Sequence, residues 1–255
     1  SMDGLLVRVG SAESLEISLF GGLPSNLYES SPAGDAMYGA SATVRPWSQG
    51  RLRMEYLHLR DETRFGTFAD DLFGISYEHV QGPVSLLLRH TVLEGENRET
   101  TFRTSAALPE AELVVGLDAT VLWKRQGAFA IAIDPYNQFL MDLEPYASAG
   151  FRASIALGGP FWLDAAAALR VLLEDSDERA YNHEYRRFTL TPRAEGWLHP
   201  ALSISIPVAA WYSTADAFWT AGVDVSWTFR KGVTASAGTA YALFKFDELS
   251  GEERE

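Results

Sequence analysis

The chain of 255 residues contains no cysteine, which excludes disulfides, thiolate metal sites and cysteine nucleophiles. That absence suits folding in an oxidising compartment. Long apolar runs are missing too. Stretches such as Ala165 to Leu169 and Ala209 to Tyr212 fall far short of the ~18 residues of a spanning helix. A mean hydropathy of −0.07 does not exclude a membrane protein, because a barrel strand intersperses its apolar residues with polar ones. Positive charge is scarce: 21 Lys and Arg against 34 Asp and Glu leave a net charge of −13. Nucleic-acid phosphates need basic patches, so no nucleic-acid partner is expected. There is no HExxH motif, glycine-rich phosphate loop or zinc spacing, and neither cofactor nor metal is expected. No secretory signal opens the chain, since Ser1-Met2-Asp3 runs into Leu5-Leu6-Val7; a mature chain or a slice of a longer one is expected.

What is present is two-residue alternation. Between Glu112 and Lys124, Leu113, Val115, Leu117, Ala119, Val121 and Trp123 fall on one face, and Glu112, Val114, Gly116, Asp118, Thr120, Leu122 and Lys124 on the other. Successive strand side chains point to opposite sides of a sheet, so the segment has one oily and one mixed face. Alternation and turn residues predict about fourteen strands, at 4–10, 14–20, 36–46, 50–60, 71–80, 83–93, 99–108, 111–124, 147–157, 161–174, 184–196, 201–213, 217–230 and 232–246. The fold class is therefore all-β: an antiparallel transmembrane β-barrel whose outside meets lipid and whose inside meets water.

The links form two sets. Short ones fall at 11–13, 47–49, 81–82, 109–110, 158–160, 198–200 and 231–232. Usually longer ones fall at 21–35, 61–70, 94–98, 125–146, 175–183, 214–216 and from 247 on. Outer-membrane barrels have this asymmetry, with tight periplasmic turns and larger external loops. The alternation would leave both ends of the chain outside, whereas bacterial barrels keep both termini in the periplasm. The expectation is a chain missing strands at each end, from a barrel of about sixteen or more.

A charge facing lipid near the midplane costs roughly 2–4 kcal/mol for Arg or Lys. The charged members of the alternation are therefore assigned to a pore wall: Arg51, Arg53, Glu55, Arg89, Arg103, Glu112, Asp118, Asp164, Arg170, Arg187 and Asp224. Opposed bases and acids in a narrow aqueous pore would orient polar solutes; pairing between neighbouring strands is the plainer alternative. Trp123, Tyr212, Trp219, Trp227 and Tyr241 lie near strand ends, as interfacial girdles do. In the connection 125–146, Asp134-Pro135 reads as a helix start, and Pro145 as its stop. An inward fold would make it a constriction carrying Asp134, Asn137, Asp142 and Glu144; an external cap is the alternative.

Some barrels are enzymes. His183, in Tyr181-Asn182-His183-Glu184-Tyr185, is the most suggestive histidine, but no serine accompanies it at a plausible spacing, and no catalytic residue is assigned.

The segments Met2-Asp3-Gly4-Leu5-Leu6-Val7-Arg8-Val9 and Leu19-Phe20-Gly21-Gly22-Leu23-Pro24 resemble the interior of long Gram-negative porins, broadly the porin and alginate-export-like group. The Gly-Arg-Gln segment that precedes the "FDG" strand there is absent here. Tyr56-Leu57-His58-Leu59-Arg60-Asp61 and the segment from Tyr241 to Arg254 resemble uncharacterised outer-membrane proteins of deltaproteobacterial type, in which a further strand follows. The resemblance implies an internal slice of a longer barrel and no particular substrate.

The reading is a bacterial outer-membrane channel passing small polar or charged solutes by diffusion, without chemistry. Its partners would be membrane lipid, lipopolysaccharide, the solutes and a second copy of itself as a homo-oligomer. The rivals are a barrel with a blocked lumen acting as enzyme or adhesion scaffold, and a soluble all-β binding protein.

Overall fold

A computed structural model describes residues 2–11, 14–24, 35–63, 66–124, 145–174, 184–213, 216–230 and 233–246. Among these residues fifteen strands follow one another: β1 Met2–Gly10, β2 Leu15–Pro24, β3 Ala36–Trp47, β4 Gly50–Thr63, β5 Gly66–Gln81, β6 Val84–Leu93, β7 Glu96–Leu108, β8 Leu113–Leu122, β9 Tyr146–Gly158, β10 Phe161–Leu172, β11 Tyr185–Glu195, β12 Leu202–Ser205, β13 Val208–Ser213, β14 Asp216–Arg230 and β15 Val233–Phe246. They form one sheet in which chain neighbours pair, apart from the adjacent β12 and β13, which both lie between β11 and β14.

Where about fourteen strands were expected, the difference lies at Pro207. Ser205 pairs with Asp224 and Val208 with Ala221, so one register runs through the break. The Gly222 amide donates to the Pro207 carbonyl at 2.9 Å, and the Ile206 amide donates to the Pro192 carbonyl at 2.9 Å. Proline has no N–H to return either bond. Two prolines on neighbouring strands thus open the ladder without moving the strand, and 201–213 is one stave in two pieces.

The links correct the expected asymmetry. β4 and β5 stay paired as far as Thr63 and Gly66, so the link expected at 61–70 shrinks to 64–65. That at 94–98 shrinks to Glu94-Gly95, with φ of 50° and 77°, the two positive dihedrals of a type I′ hairpin. Strand pairing continues through polar sequence because a ladder needs only backbone groups. At the other end, a 3₁₀ turn at Pro109–Ala111 delays β8 to Leu113, and Glu112 takes left-handed φ 45° as its cap.

By internal contacts the chain divides into two units: one of Ser1–Arg103, Thr120–Ala147 and Leu173–Asn182, the other of Thr104–Ala119, Ser148–Leu172 and His183–Glu255. In unit one, register puts Arg8, Glu16, Ser18, Ser41, Thr43, Arg51, Arg53, Glu55, Ser76, Glu78, Arg89 and Thr91 on one face of the sheet. The other carries Leu5, Val7, Ile17, Leu19, Leu52, Met54, Tyr56, Phe73, Ile75, Leu86 and Leu88. Large apolar side chains of that face stand open, Leu5 at 69% and Leu19 at 54%. Apolar surface of this extent left open requires a non-aqueous neighbour.

Candidate functional site: the polar wall

In unit one the polar face is a lattice of ion pairs. Glu55 accepts from Arg89 Nη2 at 2.9 Å and lies 3.3 Å from Arg53 Nη2; Arg51 faces Glu78 at 3.6 Å, and Arg8 faces Glu16 at 3.3 Å. Glu55 reaches from β4 to β6 by crossing Gly74, its directly opposed residue on β5. A β-carbon at Gly74 would stand 2.8 Å from Glu55 Cγ. The glycine is a seat that lets a long carboxylate lie flat along the wall.

Unit two repeats the device. Asp118 lies against Gly150, where a β-carbon would come 2.7 Å from Oδ2, and Arg152 against Gly116, where one would come 3.1 Å from Cγ. The two charged groups meet at 3.6 Å. Arg193 lies 3.1 Å from Asp164 and 2.6 Å from Glu195, and its guanidinium sits over the Trp162 ring at 5.3 Å. Arg170 sits over Tyr185 at 5.1 Å, and Tyr185 stacks on Trp211, which is in register with Arg187. Asp224, in register with Ser205 and Gly238, borders a hollow with Ser203, Ser205, Ser226 and Ser236.

The wall assignments from alternation thus divide as follows. Arg51, Arg53, Glu55 and Arg89 come together on one face, as do Asp164, Arg170, Arg187 and Asp224 on the other unit's. Asp118 shares its side with Arg152, and alternation puts Arg103 with Thr101, which donates to Glu99 at 2.8 Å. Glu112 is a correction: it caps a turn, outside β8. Asp134, Asn137, Asp142 and Glu144 lie outside the described residues. Glu78 and Arg152 were missing from the assigned wall, although the alternation that selected Arg53 and Asp118 places them there too.

The apolar face ends in aromatic and histidine side chains. Tyr38 stacks on His58 at 4.6 Å, and Asp71 accepts from Tyr56 at 2.6 Å and contacts His58 at 2.8 Å. Trp123 Nε1 donates to Thr100 at 2.9 Å, and the same hydroxyl meets His90 at 2.8 Å. On β14, Trp219 meets Tyr212 edge-on at 5.5 Å, and Trp227 stacks on His199 at 4.5 Å. From Trp219 to Trp227 a strand advances about 26 Å, or about 20 Å along the normal at the usual tilt, close to the apolar band of an outer-membrane barrel. Trp219 and Trp227 thus bracket the apolar stretch of β14.

No family model and no curated protein matches the chain in sequence. Solved structures match it in fold. Pseudomonas aeruginosa OpdK with vanillate matches with a TM-score of 0.51 at 12% identity, over 95% of this chain and 73% of that one. A second structure of the same protein, OccK1 (OpdK), matches with 0.51 at 12% identity, over 95% of this chain and 74% of that one. A BenF-like porin from Pseudomonas fluorescens Pf-5 matches with 0.49 at 11% identity, over 98% of this chain and 74% of that one. The likeness is one of architecture.

Proposed function

We propose that the protein is a channel of the bacterial outer membrane, passing small polar or charged solutes by passive diffusion. Its fold, an antiparallel transmembrane β-barrel, supports this reading over a soluble all-β binding protein. One observation carries this reading: in unit one Arg51, Arg53, Glu55, Glu78 and Arg89 share a face with Ser41, Ser76 and Thr91, and Leu52, Met54, Phe73, Ile75 and Leu88 occupy the opposite one. In a barrel the first lines water and the second meets lipid. Ion pairs laid along the wall keep it polar without projecting charge across the pore. Glycine seats hold Glu55 and Asp118 against the strands, which preserves width. Selectivity then comes from charge left over: Glu55 serves two arginines, a local excess of one positive charge.

Nothing in this reading requires chemistry, so the protein acts as a pore and not as an enzyme. The outward aromatic borders suit phospholipid and lipopolysaccharide, and a homo-oligomer is compatible with the exposed apolar face. The segment bearing Asp134, Asn137, Asp142 and Glu144 remains the proposed constriction. Planar-bilayer recording of the full chain tests the proposal. Stepwise, ohmic conductance that varies with salt is expected; a protein that inserts in bilayers yet carries no current overturns it in favour of the blocked scaffold.

A further inference from the structure

The strands of unit two place Asp118, Asp164, Glu195 and Asp224 on the polar face. The first three each have an arginine within 4.0 Å: Arg152 at 3.6 Å, and Arg193 at 3.1 and 2.6 Å. Asp224 has no base within that distance among the described residues. Its surroundings are of a different kind. Ser205 is its partner on β12, Ser203 and Ser226 pair next to it, and Ser236 pairs with Ser226 from β15. These groups line an open hollow of about 180 Å³, completed by Val225, Ala237 and Gly238.

Gly238 explains why the hollow exists. It is the residue opposite Asp224 on β15, and a β-carbon there would overlap Asp224 Oδ1. The carboxylate therefore leans onto β15, beside the serine hydroxyls, instead of standing upright. A carboxylate supplies full negative charge, and hydroxyl oxygens supply neutral lone pairs. Hard oxygen donors with a single formal charge suit a small monocation and offer too little charge to strip a divalent ion of its water.

We propose that Asp224 and the serines at 203, 205, 226 and 236 form a station for a small monocation, an alkali ion or a primary ammonium group, on the polar wall. The transport consequence rests on the channel reading; occupancy of the station does not. A carboxylate with no base beside it among the described residues concentrates cations locally, and salt screens the effect beyond about 10 Å at 0.1 M.

Two measurements on the full chain test this. In bilayers under a potassium chloride gradient at low salt, D224N should lower the cation-to-anion permeability ratio at least about twofold, and D164N, whose arginine stays behind, should lower it without loss of station occupancy. Gly238→Ala keeps the charge but evicts the carboxylate from its seat. In crystals soaked with thallium(I), wild type should show anomalous density between Asp224 and the serines, absent in D224N and displaced or lost in G238A. Methylammonium competing for that density identifies an ammonium station; competition by potassium alone identifies an alkali-ion station. No thallium at Asp224 in wild type, or a permeability ratio and density unchanged in both variants, overturns the proposal. Thallium at Asp224 in a protein that carries no current leaves the station standing and removes the channel.

Discussion

Glu55 lies flat across Gly74, the residue directly opposite it on the neighbouring strand, and by doing so reaches Arg89 two strands away. The pair joins backbone register to electrostatics: only a residue without a β-carbon lets the carboxylate pass at that height. Gly74→Ala is therefore expected to lift Glu55 from the wall and part it from Arg89. Single-channel conductance should fall while anion preference rises, and reversal potentials together with conductance read both changes. Unchanged values would show that the seat has no bearing on the pore.

Glu55→Gln leaves the seat filled but removes the charge that Arg53 and Arg89 share. Anion preference should rise by more than in an Arg8–Glu16 variant, E16Q, where only one arginine is released. Stability should change little, by about 0–1 kcal/mol, because exposed ion pairs contribute weakly. Urea titration of the liposome-folded protein checks the second point.

The assignment of faces predicts an asymmetry between neighbours in space. Ile75, on the apolar face between Met54 and His90, should not tolerate arginine, at a cost of about 2–4 kcal/mol if it lies near the midplane. Ser41, opposite Glu55 on the polar face, should accept arginine at close to no cost. Equal effects of I75R and S41R on folding into liposomes would contradict the sorting of the sheet.

Pro207→Ala restores an N–H facing the Gly222 carbonyl, worth about 0.5–1.5 kcal/mol as a net hydrogen bond. Against it stands the greater freedom of the unfolded chain, about 0.4–1 kcal/mol. Away from water the bond should win, so P207A is expected to gain less than about 1 kcal/mol and to slow amide exchange at the break between β12 and β13. Urea unfolding and hydrogen exchange in the same liposomes measure the two effects.

The sorting of residues to faces was legible because the period of a strand is a local property. Leu163, Leu169 and Val171 oppose Asp164 and Arg170 whatever lies beside them. Strand ends were less legible. The ladder between β4 and β5 runs on through Asp61 and Glu62, since pairing depends on a partner backbone rather than on side-chain polarity. The interruption at Pro207 needed Pro192 beside it to be understood.

Amino-acid order by itself determined that this chain makes amphipathic strands with tight turns, and which side chains share a side, because alternation and turn chemistry act over a few residues. Only the tertiary structure decided which charges meet. Arg89 finds Glu55 from 34 positions away, and Asp224 finds serines and a glycine but, among the described residues, no arginine. Those relationships follow from register between strands, which one long-range pairing sets for every residue of a hairpin at once.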